Sequence, residues 1–451
     1  MSVSSSRAPH LPLLLKCLNG KVVNPALKAF AFAYIYVVAP KIFFKVLKLA
    51  KKRELSKGLP AAIATLRNAL KPSKFPALAA KLMLQINATE PLIYLFFKRL
   101  GYLHKPRRRL FVSTLVAAFL AALMHFPSFQ NPGSIHGRQI SLDLTLLVAT
   151  RALDTVVSSA LSRAGGSRYA SLGDGALFIV SSALIMYSWF YHPERLPPAY
   201  RNWITSAASM DDEFISLLRD VKNKKVAYGE KGPGEYLLKD FCERNNQPAE
   251  KGSLYLNQPL SCECVHAFLT KNCELHALWR FARGFTFAIK LYGSVNFVML
   301  LLSKDKKNFA RKLLRASLNA ARSSCFLGTF IALCWYGVCL GRNRILPRLF
   351  PKVPRTRWDD TIAAACGCAL CGFSCFIDTP QRRKELALFV APRAVGTVIS
   401  SEPTPRNLWL ERVTFAVSMA ILVAFAKKEA SSVRGIFGKG LQSVLSLQNF
   451  N

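Results

Sequence analysis

Acidic side chains are what this sequence has least of: 25 Asp and Glu stand against 62 Lys and Arg, with only 7 His in 451 residues. No carboxylate pair, phosphate-binding glycine loop or Ser/His/Asp arrangement can be picked out, so no enzyme class emerges and the chain is expected to be non-enzymatic. A secretory leader is lacking as well. The opening MSVSSSRAPHLPLLLKCLNGK has a short apolar patch broken by Pro12, with no small-residue cleavage pattern behind it. The final Asn449-Phe450-Asn451 is no peroxisomal address, so targeting is expected to be internal.

Charge of either sign is sparse, 19% of residues against 51% hydrophobic, and mean hydropathy is positive. A soluble basic protein of this imbalance would suggest nucleic acid, with cations on one face and aromatics interleaved. Here the basic residues fall in short blocks between apolar runs, as at Lys105, Arg107, Arg108 and Arg109, or Arg342, Arg344 and Arg348. That is the pattern of a helical membrane protein facing anionic lipid, with no nucleic-acid partner expected. Consecutive loops are all basic, so charge bias assigns no sidedness. The 12 cysteines form no disulfide framework, because Cys325, Cys334, Cys339, Cys366, Cys368, Cys371 and Cys375 lie in apolar, small-residue runs and behave as small hydrophobes.

Apolar segments predict helices over 26–47, 77–97, 110–126, 142–161 and 176–191, then over 279–302, 325–340, 361–377, 386–400 and 413–426. Eight to ten crossings are expected, with amphipathic pieces at 61–70 and 309–321 lying along the interface. Residues 193–260 are polar, proline-punctuated and rich in acids, and read as a solvated linker with one or two short helices. The expected division is a first membrane repeat over 1–192, the linker over 193–260, a second membrane repeat over 261–426 and a basic, amphipathic tail over 427–451.

Internal similarity supports the word repeat. LLVATRALDTVVSS at Leu146 and LFVAPRAVGTVISS at Leu388 agree at nine of fourteen positions. FIVSSALIMY at Phe178 pairs with FAVSMAILVA at Phe415, and FAFA at Phe30 with FTFA at Phe285. The expected fold is therefore all-α: a multi-pass helical membrane protein built from two tandem repeats of four or five membrane helices each. In the small-residue helices, Ala117 and Ala121, Ala118 and Ala122, Gly367 and Cys371, and Cys368 and Gly372 recur four apart, a spacing that lets helix backbones approach closely.

Two groups of residues stand out chemically. The first is Cys262, Cys264, His266, Cys273 and His276, within LSCECVHAFLTKNCELH. Thiolate and imidazole are zinc ligands, and four of the five would close a tetrahedral site; the competing reading is a structural turn leading into the next helix, with no cofactor. At the chain start His10 and Cys17 repeat the spacing of His266 and Cys273, with Ser6 and Ala8 where Cys262 and Cys264 would stand. The second group is Arg151 with Asp154, three apart on one helix face, and Arg393, whose matching neighbour is Gly396. These either snorkel to the interface or bind an anionic headgroup or solute. Pro392, just before Arg393, is expected to break a helix or start one. Asp359 and Asp360 read as helix capping.

The Cys-x3-His-x6-Cys element with LWRFARGFTFAIKLYG resembles the cysteine-rich element and first helix of the transmembrane protein 135 family, also called peroxisomal membrane protein 52. CFLGTFIALCWYGVCLGR, WDDTIAAACGCALCGFSCFI and ELALFVAPRAVGTV are similar to that family's second half, and LDLTLLVATRALDTVVSSAL with GDGALFIVSSALIMYSWFYHPERLP to its first. The resemblance implies a multi-pass protein of peroxisomes and mitochondria, linked to lipid metabolism and organelle division. It also implies distant similarity to channel subunits of the mitochondrial inner-membrane translocases. It brings no catalytic residues. The expected function is thus a non-enzymatic role in organelle homeostasis. A transporter or channel for an anionic solute or lipid, and a scaffold or translocase-like assembly subunit, are the alternatives. Membrane lipids and membrane proteins are the expected partners.

Overall fold

A computed structural model of the chain describes residues 19–51, 58–71, 74–130, 134–135, 138–139, 141–163, 167–301, 308–359 and 361–428, with 433, 438, 440, 441, 443 and 444. His10, Cys17, Ser6, Ala8, Asp360 and most of the tail lie outside the described residues. Apart from a two-residue antiparallel pairing, Ser134 with Gln139 and Ile135 with Arg138, the described structure is all-α, of the multi-pass membrane type.

The chain forms two compact units, one of residues 1–166 and 400–451, the other of residues 167–399. These boundaries cut the chain elsewhere than the composition shifts at 192 and 260. In the first unit, α1 (Asn24–Lys51) packs on α2 (Gly58–Ala69) and α3 (Phe75–Arg99); α3 packs on α4 (Pro106–Phe129). Both α4 and α5 (Leu142–Arg163) then pack on α16 (Pro405–Lys428). Proline opens α4, where its fixed φ suits the helix and its missing N–H leaves no bond unmade. Ala117, Ala118, Ala121 and Ala122 on α4 are fully buried, and above them Phe126 stacks on Phe415 at 4.1 Å between ring centroids.

The second unit begins with α6 (Ser167–Tyr191) and holds α11 (Cys273–Leu301), α12 (Phe309–Leu340), the single turn α13 (Leu346–Leu349), α14 (Ile362–Cys371) and α15 (Pro380–Val398). Here α11 packs on α12, α12 on α14, and α6 against both α14 and α15. The small-residue spacing does what it predicts. A Cβ at Gly367 would lie 2.3 Å from the Cys334 carbonyl oxygen, and one at Gly337 would lie 2.7 Å from the Gly367 Cα, so α12 and α14 touch backbone to backbone.

Five helical stretches are long and apolar enough to cross a membrane: Pro106–Phe129, Leu142–Leu161, Leu172–Tyr191, Phe309–Leu349 and Pro405–Lys428. Asn24–Ala39 and Ile362–Ile377 are apolar but shorter. Against the eight to ten crossings expected, the described residues thus hold five helices of full membrane length and two shorter apolar ones. Lys81, Gln85, Asn87 and Glu90 dilute α3, and Arg280, Arg283 and Lys290 charge α11. The segment expected to lie along the interface at 309–321 is instead the opening part of the continuous helix α12.

Residues 193–260 are no solvated linker. They form α7 (Pro198–Ala208), α8 (Asp212–Lys222), α9 (Lys239–Arg244) and three short 3-10 turns. Phe214, Leu217, Val226, Leu238, Phe241, Cys242 and Leu254 bury themselves in a small core of their own, joined by Leu260 and Cys264. The apolar positions are spaced through polar sequence, so composition alone hides the core they make.

Candidate metal centre

Downstream of that core, the single turn α10 (Cys262–Val265) is capped by Ser261, whose hydroxyl accepts from the Cys264 N–H at 3.2 Å. Residues four apart share a helix face, so Cys262 and His266 point the same way. Ala267 and Phe268 follow in the left-handed region, at φ 55° and 58°, a conformation that costs a residue with a Cβ about 1–2 kcal/mol. The chain reverses sharply there. It re-enters a helix at Cys273, where the Asn272 side chain accepts from the N–H groups of Glu274 and Leu275 at 2.9 and 3.1 Å.

The reversal brings His266 and Cys273 to Cys339, near the end of α12. One ligand atom from each of the three lies within 4.8 Å of the others, so the cluster can hold a metal ion. His266 Nε2 is 3.4 Å from Cys339 Sγ, and its Nδ1 is 2.9 Å from the Thr270 carbonyl oxygen. A carbonyl only accepts, so Nδ1 carries the proton and Nε2 presents its lone pair to the thiols. This is the outer-shell arrangement of metal-binding imidazoles. Burial holds the His266 pKa below its ordinary value, keeping the ring in the neutral form that binds metals.

Of the five residues singled out in the sequence, the structure separates two from the cluster. Cys264 turns into the small core, fully buried in the same cluster as Cys242. Burial pushes the Cys264 thiol up to about 12, the value of an inert structural cysteine. His276 stacks on His266, centroids 4.1 Å apart, but its Nε2 accepts from Arg280 Nε at 3.2 Å. Burial, with His266 and Arg280 beside it, lowers its pKa to about 3. Cys262 stays at the edge, outside the group of three, where its sulfur accepts from Asn343 Nδ2 at 3.0 Å.

Cys339 was missed by sequence reasoning because it sits in an apolar helix far from the Cys/His run, where a cysteine is ordinarily a small hydrophobe. The stretch after it is distinctive. Gly341–Ile345 winds as a π-turn, a form frequent at functional sites, and three successive side chains from it hold the cysteine-bearing loop and the start of α11. Arg342 donates to the Leu260 carbonyl at 2.7 Å and pairs with Asp359 at 2.6 Å. Asn343 holds Cys262, and Arg344 pairs with Glu274. Asp359 is thus no helix cap; it binds Arg342 and accepts from the Tyr228 hydroxyl at 2.6 Å.

The charge candidates are not among these residues. Arg151 and Asp154 are half-buried on α5 in the first unit, where Asp154 accepts from Ser158 Oγ at 3.2 Å. Arg393, in the second unit, donates to the carbonyl of Phe389 one turn back and lies over the rings of Phe389 and Tyr200, 3.9 and 5.1 Å from their centroids. Pro392 neither breaks nor starts a helix, since α15 runs through it. More deeply buried charges escaped the reading: Glu90 pairs with Lys427 and accepts from Thr114, and Glu411 accepts from Gln130 at 2.7 Å and Thr145 at 3.2 Å. No protein-family model matches the chain, and no curated protein or solved structure does either.

Proposed function

We propose that this chain is a multi-pass membrane protein of peroxisomes or mitochondria with a non-enzymatic part in organelle homeostasis and lipid metabolism, and that zinc is the ion of its Cys/His centre, in a structural capacity. The observation that carries the reading is the Cys-x3-His-x6-Cys element joined to membrane-length helices, in the order of the transmembrane protein 135 family it resembles. The zinc assignment is supported by the donor set, since paired thiols and a neutral imidazole suit zinc better than a hard cation.

An internal duplication belongs to the same reading. In the first unit the packed order runs α1, α3, α4, α16, α5; in the second it runs α11, α12, α14, α6, α15. Matching α4 to α14, α5 to α15 and α6 to α16 by sequence makes the two orders the same, with the last helix of each half exchanged. Imaging of the tagged chain against peroxisomal and mitochondrial markers, with extraction at alkaline pH, tests the assignment. Co-localisation and retention in the membrane pellet are expected; release into the supernatant, or residence elsewhere, sinks it.

The second reading, a transporter or channel for an anionic solute or lipid, is favoured by Glu411 and Lys427, which place buried charge in the membrane-length helix α16. Flux through reconstituted vesicles that is unchanged by Glu411→Gln and Lys427→Met removes it.

A further inference from the structure

Taking zinc as the ion of the Cys/His centre, we propose that four residues hold it, Cys262, His266, Cys273 and Cys339, and that this Cys3His site clamps the folded polar segment 193–272 to the end of α12. The fourth ligand and the clamping role are both new relative to the three-residue cluster.

The distances suit zinc. With bonds of about 2.1 Å to nitrogen and 2.3 Å to sulfur, a tetrahedral ion separates its N and S ligand atoms by about 3.6 Å. His266 Nε2 and Cys339 Sγ stand 3.4 Å apart. Three ligands leave a tetrahedral ion one short, and structural sites are closed. Cys262 is the candidate the loop offers: it stands outside the 4.8 Å group that the other three form, but it opens the helical turn that His266 ends, so its side chain completes the site by turning inward. The other two members of the motif are committed elsewhere, Cys264 to the small core and His276 to Arg280. Asn343 donates an N–H to the Cys262 sulfur at 3.0 Å, the kind of outer bond that orients a ligand.

The role follows from where the four residues sit. Cys262 and His266 end the polar segment, Cys273 opens α11, and Cys339 belongs to α12. An ion bonded to all four joins three elements at one point. The ion pair of Arg344 with Glu274 is half exposed, and exposed pairs hold little. The segment is also tied by the Leu260 carbonyl to Arg342, by Tyr228 to Asp359 and by the Ser209 carbonyl to Arg280, none of which bonds Cys262 or His266 themselves. The zinc bonds fasten those last residues of the segment.

The test uses the full chain purified in detergent, with zinc counted by mass spectrometry and Co2+ as a spectroscopic probe whose thiolate charge-transfer band grows with each sulfur bound. About one zinc per chain is expected. Cys273→Ser and Cys339→Ser lose zinc to a chelator at concentrations about tenfold lower than wild type, whereas Cys264→Ser and His276→Ala do not. Cys262→His, which keeps a ligand and guards against simple misfolding, retains the metal with a Co2+ band about one third weaker. A wild-type chain that binds neither Zn2+ nor Co2+ overturns the zinc reading itself. Metal in the wild type with an undiminished band in Cys262→His overturns the ligand set alone. Chelation should quicken trypsin cleavage within 193–272 and leave α14 and α15 protected; an unchanged cleavage pattern overturns the clamp.

Discussion

The imidazole of His266 lies flat on that of His276, their planes 18° apart, yet only His266 faces the cysteines. His276 supports the centre from behind, accepting from Arg280, whose guanidinium also donates to the Ser209 carbonyl at 3.1 Å and covers the Trp335 ring at 3.8 Å. His276→Ala would leave a buried arginine N–H without its acceptor, at a cost of about 1–3 kcal/mol. The expected outcome is a lowered thermal midpoint in detergent with zinc content unchanged. Equal metal loss in His276→Ala and His266→Ala would refute this division of labour.

Much of the fold is legible in the sequence because lipid-facing helices declare themselves by length and hydropathy, and α4, α5, α6, α12 and α16 do so. What stays hidden depends on pairing across long separations. Nothing local tells Cys339 from Cys334, or marks α6 and α16 as helices that join the other half's neighbours. The small core of 193–260 is hidden for a different reason: Phe214, Leu238, Phe241 and Leu254 are too widely spaced to raise local hydropathy, and only the folded chain collects them. For the centre itself, the spacing of Cys262 and His266 was readable, but the turn at Ala267 and Phe268 that selects among the five candidates was not.

The close approach of α12 and α14 should tolerate no side chain at Gly367. In Gly367→Ala the new methyl would lie 2.3 Å from the Cys334 carbonyl oxygen, and forcing backbones apart costs about 1–3 kcal/mol or more. Gly173, helical on α6 with nothing within 4 Å of a Cβ, is the control; Gly173→Ala should be neutral or stabilising by about 0.5–1 kcal/mol. Thermal unfolding of the two variants, compared with wild type, checks the pair. Similar midpoints in both would mean the two helices are not in backbone contact.

Arg393 has a modest place in the molecule. Its bond to Phe389 is to its own helix and exposed, and its contacts over Phe389 and Tyr200 are worth about 0.5–1 kcal/mol each at such sites. Loss of these two ring contacts in Arg393→Gln is expected to lower stability by about 1–2 kcal/mol and to leave any vesicle flux as it was. Abolished flux with stability intact would instead place it at a transport site.

The pair of Lys427 with Glu90 is the strongest test of how the first unit holds charge. Both side chains are about nine-tenths buried, 11% and 9% exposed, and Thr114 on α4 adds a hydroxyl to the same carboxylate. Taking both charges from water is costly, so the intact pair contributes little net stability, but a single charge left behind costs about 3–5 kcal/mol. Lys427→Met, which strands Glu90, should destabilise by that amount, measured by denaturant or thermal unfolding in detergent. Glu90→Met strands Lys427 and should cost about as much. The double replacement removes both charges and keeps the volume, so it should recover most of the loss, landing within about 1–2 kcal/mol of wild type. Losses that simply add in the double variant would show that the two residues act independently, and that α3 and α16 are held by packing alone.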